Sequence, residues 1–234
     1  MKRSEINQII REGDAFLKAN HFYLPPFAYW TPEDWATKGE EADEIRDNNL
    51  GWDITDYGTG RFEQTGLFLF TIRNGNLDRS RGGGLIARYP KPYAEKIMIV
   101  RENQLTPYHF HWKKMEEIIN RGGGRFLIKV YNANAGEQLA DTDVEVHLDG
   151  VRKMVPAGTV ICLEPGESIC LFPYQYHSFW SEPGRGPCLV GEVSMVNDDN
   201  TDNRFLKPVA RFTGIEEDEA PLHYLVGEYP ACRA

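Results

Sequence analysis

The sequence predicts an all-β protein, a single barrel of short antiparallel strands behind a helical N-terminal extension. Two observations carry this. Between residues 67 and 196, short apolar runs recur at close intervals, punctuated by Gly, Pro, Asn and Asp. No helical periodicity separates these runs, as a parallel α/β sheet would require.

Taken in order, Ser4 to about Asn20 reads as a helix, with Ile6, Ile9, Ile10, Phe16 and Leu17 near one face and the Ser4 hydroxyl as its cap. Tyr23 to Trp35 is rich in Pro and aromatics and predicts an ordered loop packed on the barrel. The polar run Lys38–Asn49 has room for a second short helix. Strands are then expected at Leu67–Arg73, ending in an Asn74-Gly75 hairpin turn, and at Glu95–Arg101 and Arg125–Tyr131. Val144–Leu148 follows, ending at Asp149-Gly150, and then Val160–Leu163, Ser168–Phe172, His177–Trp180 and Cys188–Val196. The two Arg-Gly-Gly-Gly segments, Arg81–Gly84 and Arg121–Gly124, predict bends needing positive φ; no phosphate-loop lysine follows either. The expected organisation is one domain: extension 1–66, barrel 67–196, and a C-terminal wrap 197–234.

A formal charge of −9 with dispersed acidic residues excludes a nucleic-acid footprint. No run is apolar for long enough to cross a bilayer, and the start MKRSEINQII lacks a signal-peptide core. Cys162, Cys170, Cys188 and Cys232 form no CxxC pair, which argues against a thiolate zinc site and for free thiols in a reducing cytoplasm. A small neutral molecule or a cation is the expected ligand.

The chemistry concentrates in two segments. In TPYHFHWKKME, strand alternation puts His109 and His111 on one face, and Glu116 follows a short turn. In GESICLFPYQYH, an apolar strand and a bend at Pro173 lead to His177. Three imidazole nitrogens and one carboxylate suit a divalent ion (Mn²⁺, Fe²⁺, Co²⁺, Ni²⁺ or Zn²⁺), and octahedral geometry would leave two positions open for catalysis. Glu192, charged within LVGEVSMV, is expected to face the lumen as a catalytic carboxylate. Lys96 either reaches the same lumen, where it would stabilise developing oxyanion charge, or stands exposed on the barrel. The polar loop NDDNTDNR, with Asp198, Asp199, Asn203 and Arg204, is either a solvated loop or a set of donors and acceptors at the barrel mouth, with Asp198 and Arg204 the candidates for binding substrate. His21, His147 and His223 have no ligand partners nearby and read as structural.

This pairing of segments resembles the two motifs of the cupin superfamily, whose fold is a double-stranded β-helix, or jelly roll. Departures are present: no glycine stands between Glu102 and Tyr108, Gln175 replaces a motif glycine, and Trp180 or Ser181 stands near an expected asparagine. The segments TPYHFHWKKMEEIINRGGG, FPYQYHSFW, GEVSMVNDDNTDNRF and ARFTGIEEDEAPLHYL are similar to the D-lyxose isomerase family, over about Arg3 to Tyr229. That resemblance implies a metal-dependent ketol-isomerase interconverting D-lyxose and D-xylulose, with D-mannose and D-fructose as a second pair. It also implies manganese as the first choice of metal, and it makes Glu217, in the IEEDE run, a candidate proton shuttle. A homodimer is expected. An iron-dependent cupin dioxygenase and a non-catalytic sugar-binding cupin are the alternative readings.

Overall fold

The structure, a computed structural model, describes residues 1–78, 84–211 and 214–232. Helix α1 (Arg3–Ala19) opens the chain, followed by the one-turn helix α2 (Pro32–Trp35) and by α3 (Asp43–Asp47) in the polar run. The strands are β1 (Gly51–Thr55), β2 (Leu67–Arg73), β3 (Leu77–Asp78), β4 (Gly84–Leu85), β5 (Tyr93–Val100), β6 (His109–Phe110), β7 (Glu116–Gly123) and β8 (Phe126–Asn132). They continue with β9 (Val144–Leu148), β10 (Val151–Val155), β11 (Val160–Leu163), β12 (Ser168–Leu171), β13 (Gln175–Ser181), β14 (Cys188–Met195) and β15 (Arg204–Phe205). The pairing is antiparallel throughout: an eight-stranded sheet in the order β1-β2-β5-β14-β7-β12-β9-β10 faces a five-stranded sheet β11-β8-β13-β6-β15. Two facing antiparallel sheets are the predicted jelly roll.

Alternation explains both layers of core. On β2, Leu67 and Leu69 point into the barrel with Met98, Ile118, Ile128, Val130 and Phe179. Phe68 and Phe70 point outward, with Trp52, Ile54, Ile97 and Ile99, against Ile6, Ile9, Ile10 and Leu17 of α1. The strands under the helix are therefore apolar on both faces. Each fully buried aliphatic of α1 contributes about 1.5–3 kcal/mol by leaving water, so tertiary packing rather than propensity holds this helix.

Several expectations need correction. Ser4 does not cap α1: it lies inside the helix, and its N–H and hydroxyl both donate to Asp218 (2.9 and 2.6 Å). A carboxylate from the tail supplies the acceptor, favoured by the positive end of the helix. The whole acidic run is used this way, with Arg3 N–H on the Glu216 carbonyl, the Arg3 guanidinium on Glu217, and Asn7 on Glu219. Asn74-Gly75 makes no two-residue hairpin, because β2 pairs with β1 and β5. The Asn74 side chain instead bridges Asn48 and Asn197. Residues 1–66 are not only helix and loop, since β1 extends the main sheet, and the tail likewise contributes β15.

Asp149-Gly150 does turn the chain between β9 and β10, with φ of 50° and 79°, the paired positive values of a tight hairpin. Gly122 and Gly123 adopt φ of 153° and 79° in the second Arg-Gly-Gly-Gly segment, and a Cβ on Gly123 would lie 2.3 Å from the Pro187 carbonyl. The first copy, apart from Gly84, lies outside the described residues.

Candidate metal centre and active site

β6 and β13 run side by side with His109 opposite His177, which brings their ring centroids to 4.2 Å. His111 follows one alternation later, its ring 5.4 Å from His109. The ligand atoms of the three imidazoles lie within 4.8 Å of one another. The chain then turns into β7, whose first residue, Glu116, reaches the same point. Glu116 Oε1 is 3.5 Å from His111 Nε2 and 3.2 Å from His177 Nε2.

The hydrogen bonds of these rings decide what they hold. His109 Nδ1–H donates to the Pro107 carbonyl (2.9 Å), His111 Nδ1–H to Asp202 (2.6 Å) and His177 Nδ1–H to Gln175 (3.1 Å). A carbonyl only accepts, so each Nδ1 carries the proton and each Nε2 presents a lone pair. Burial pushes the His109 pKa well below the usual range, helped by its two histidine neighbours. Burial likewise takes His177 down to about 4, against the pull of Glu116. Lone pairs of two imidazoles therefore lie 3.5 and 3.2 Å from one carboxylate oxygen in a buried pocket. Acceptors so arranged repel one another unless a cation lies between them, so the donor set fits a divalent metal, and the carbonyl partners hold the rings as ligand-orienting groups do.

Beside the imidazoles lies a chain of charge. Lys114 Nζ touches Glu116 Oε2 (2.7 Å), Glu192 Oε1 (2.8 Å) and Asn197 Oδ1 (3.2 Å). Lys96 faces Glu192 across the β5–β14 ladder, 3.4 Å away. Burial opposes the charge on Lys114, but Glu116 and Glu192 outweigh it and hold its pKa above the usual range. Burial would raise Glu116, and Lys114 with the histidines overrides it to leave the carboxyl well below its usual value. Asp199 behaves in the same way: Arg211, Lys96 and Lys114 overcome its burial. Leu69, Met98, Ile118 and Phe179 complete the walls, with Tyr57, Thr106, Asn203 and Phe205.

The sequence profile of the D-lyxose isomerase family matches residues 1–229. The chain belongs to the D-lyxose isomerase family. Two curated relatives, the D-lyxose/D-mannose isomerases of Serratia proteamaculans and Escherichia coli O157:H7, are 50% and 49% identical over 230 residues, each covering 98% of both chains. This family member is thus a sugar isomerase. Among solved structures, an Acinetobacter sp. DL28 L-ribose isomerase in complex with L-ribose superposes with a TM-score of 0.59 at 16% identity, over 92% of this chain and 98% of that one. At that identity the likeness shows the fold. Among the described residues, no helix is long and apolar enough to cross a membrane.

In this D-lyxose isomerase family member the structure brings together His109, His111, Glu116, His177, Lys96 and Glu192. It does not bring Glu217 there. Glu217 is 55% exposed and bound to the buried Arg3 at 2.7 and 2.9 Å, because its segment serves the start of α1. Asp198 and Arg204 also stand outside. Asp198 accepts from Asn200 N–H and the Thr201 hydroxyl, closing a turn, and Arg204 bonds Glu137 at 2.7 Å. Their neighbours Asp199 and Phe205 face the pocket instead: on β15 alternation sends Phe205 to His109 and Arg204 outward. Lys114, Arg211 and Tyr57 were not among the candidates. Lys114 had a signal, two residues before Glu116 on the same face. Arg211 and Tyr57 reach the pocket through tertiary packing alone.

Proposed function

We propose that this family member is a metal-dependent aldose–ketose isomerase that interconverts D-lyxose and D-xylulose, and D-mannose and D-fructose. The observation that carries the reading is the convergence of His109, His111, His177 and Glu116 beside the Lys96–Glu192 pair. The names of the two curated relatives support the choice of sugars.

Isomerisation moves a proton between C1 and C2 while the carbonyl changes place. The three histidines and Glu116 would hold a divalent ion, which when bound would supply Lewis acidity to the sugar's carbonyl end. Manganese is the first choice, and the mixed nitrogen and oxygen donors also suit iron, cobalt, nickel or zinc. Glu192 is the proton carrier: a buried carboxylate held by Lys96 and Lys114, with its orientation set before substrate arrives. Lys96 stabilises negative charge on the sugar oxygen as the proton leaves. Lys114 positions both carboxylates. Three cations (Lys96, Lys114, Arg211) and three carboxylates (Glu116, Glu192, Asp199) line the pocket. This lining is close to neutral, and an added divalent ion gives it the sign that favours an anionic transition state.

A cytoplasmic location belongs to the proposal, supported by a cysteine set with no CxxC pair. A homodimer belongs to the proposal, supported by apolar exposure on the outer face of β14 and β5, where Tyr93, Val193 and Met195 are each about half exposed.

The test is anaerobic incubation of metal-stripped protein with D-lyxose, with and without Mn²⁺, followed by a ketose assay. Ketose that needs metal and is lost in His111→Ala supports the proposal. If neither D-lyxose nor D-mannose yields ketose with any of the five metals, the proposal is wrong. Turnover that appears only when oxygen is admitted would favour the dioxygenase reading.

A further inference from the structure

Arg211 stands at the end of the pocket away from the histidines. Its guanidinium bonds Asp53 on β1 (2.6 and 3.3 Å) and Asp199 after β14 (3.2 Å). Glu116 is on β7, and β14, β5 and β2 lie between β7 and β1. Along the lining, Glu116, Lys114, Asn197, Asp199 and Arg211 touch in turn (2.7, 3.2, 2.9 and 3.2 Å), so Arg211 stands at the far end of this run of contacts from Glu116. Glu116 and Arg211 thus define opposite ends of one lumen. Behind Arg211 lies a second cavity, lined by Asp53, Asp199, Thr71, Asn74 and Asn197 above an apolar floor that includes Ile54 and Leu225. Asp199 belongs to both walls, while Arg211 faces the histidine pocket and Asp53 the second cavity. The space open to the centre of a water molecule is about 40 Å³ in the histidine pocket and about 350 Å³ in the second cavity. The Asp53–Arg211–Asp199 triad is therefore a partition between a tight pocket and a roomy polar one.

We propose that this partition sets the length of sugar the enzyme prefers, with Arg211 as the residue that meets the far end of the open chain. The inference rests on the isomerase reading of the same pocket. D-lyxose and D-mannose share the configuration of C2, C3 and C4, so a site holding the carbonyl end by the histidines cannot separate them there. They differ by one hydroxymethylene at the other end. That group meets Arg211, and moving Arg211 aside would admit it to a cavity already lined by amide and hydroxyl groups that suit a sugar.

The test compares kcat/KM for D-mannose and D-lyxose in the parent, Arg211→Lys, and the double variant Arg211→Ser with Asp53→Asn. The double variant removes bulk and charge together and leaves Asp199 bonded to Asn197 and Asn203. The mannose-to-lyxose ratio should rise about tenfold or more, within the range one extra carbon commands in a fitted pocket. Arg211→Lys, which keeps the charge but cannot fork between Asp53 and Asp199, should shift the ratio in the same direction by less than the double variant. Should the double variant not fold, Asp53→Asn alone loosens one anchor and should shift the ratio in the same direction by less. A ratio unchanged within about twofold in the folded variants overturns the proposal. Calorimetric binding of the five- and six-carbon polyols made by reducing the two sugars provides a readout without turnover. If the parent isomerises neither sugar, the isomerase reading has failed. The partition then stands or falls on whether the parent's preference for the shorter polyol disappears in the variant.

Discussion

Replacing Lys114 by methionine removes a buried cation held between Glu116 (2.7 Å) and Glu192 (2.8 Å). At an effective dielectric near 20, each contact is worth about 6 kcal/mol of gross Coulomb attraction. Most of that is offset by the cost of burying the ions. What a deletion exposes is the penalty of leaving the carboxylates unpaired, about 3–5 kcal/mol for a buried pair. In a chain of this length that corresponds to a fall in Tm of roughly 6–20 °C. The assay is urea and thermal unfolding of metal-free protein, followed by tryptophan fluorescence. Adding Glu192→Gln to Lys114→Met should recover part of the loss, because one orphaned charge is gone. Divalent metal should recover another part, because Glu116 regains a cation. A metal-free Lys114→Met protein within about 0.5 kcal/mol of the parent would refute the reasoning, since it would mean water already screens these carboxylates.

Three further outcomes are expected. Glu192→Gln should lower kcat by about 10²-fold or more, the usual share of a proton carrier, while Glu217→Gln stays within about twofold; equal losses would contradict the assignment. Metal-free protein should lose stability on acidification, because His177 at about 4 refuses a proton that the unfolded chain accepts near 6.5. The unfolded state binds more protons across that window, so stability falls as pH drops from about 7 to 4, by on the order of 3 kcal/mol from this residue; a flat profile in urea titrations would count against it. Arg3→Met should cost about 1–3 kcal/mol by stranding Glu228 and releasing the tail from α1. Limited proteolysis should then cut near residues 214–222 faster than in the parent, and an unchanged cleavage rate would show that the clip is dispensable.

The barrel strands were legible in two ways: Val144–Leu148 writes its burial into every second residue, and Leu67–Arg73 is a short continuous apolar run buried on both faces; both were found with the expected bounds. The four convergent side chains were legible for a related reason. His109 and His111 share a face by alternation, and a glutamate or histidine near a bend in an apolar context has few structural uses. Errors fell where no local rule applies. Ser4 has the composition of a cap, yet the acceptor at that helix end is Asp218, more than two hundred residues away. Asn74-Gly75 has the composition of a hairpin, yet Asn74 ties two distant loops together.

By itself, then, the sequence determined the strand content, the facing of the histidine pair and the chemical character of the ligand set, because each depends on period or side-chain type within a few residues. Only the tertiary structure decided that Glu217 belongs to the α1 clip, that Asp199 rather than Asp198 faces the lumen, and that Lys114 holds the two pocket carboxylates. It also placed Arg211 between Asp53 and Asp199. Those positions follow from which strands become neighbours in the sheet and where the tail lies across them, and such long-range pairing leaves no periodic trace in the chain.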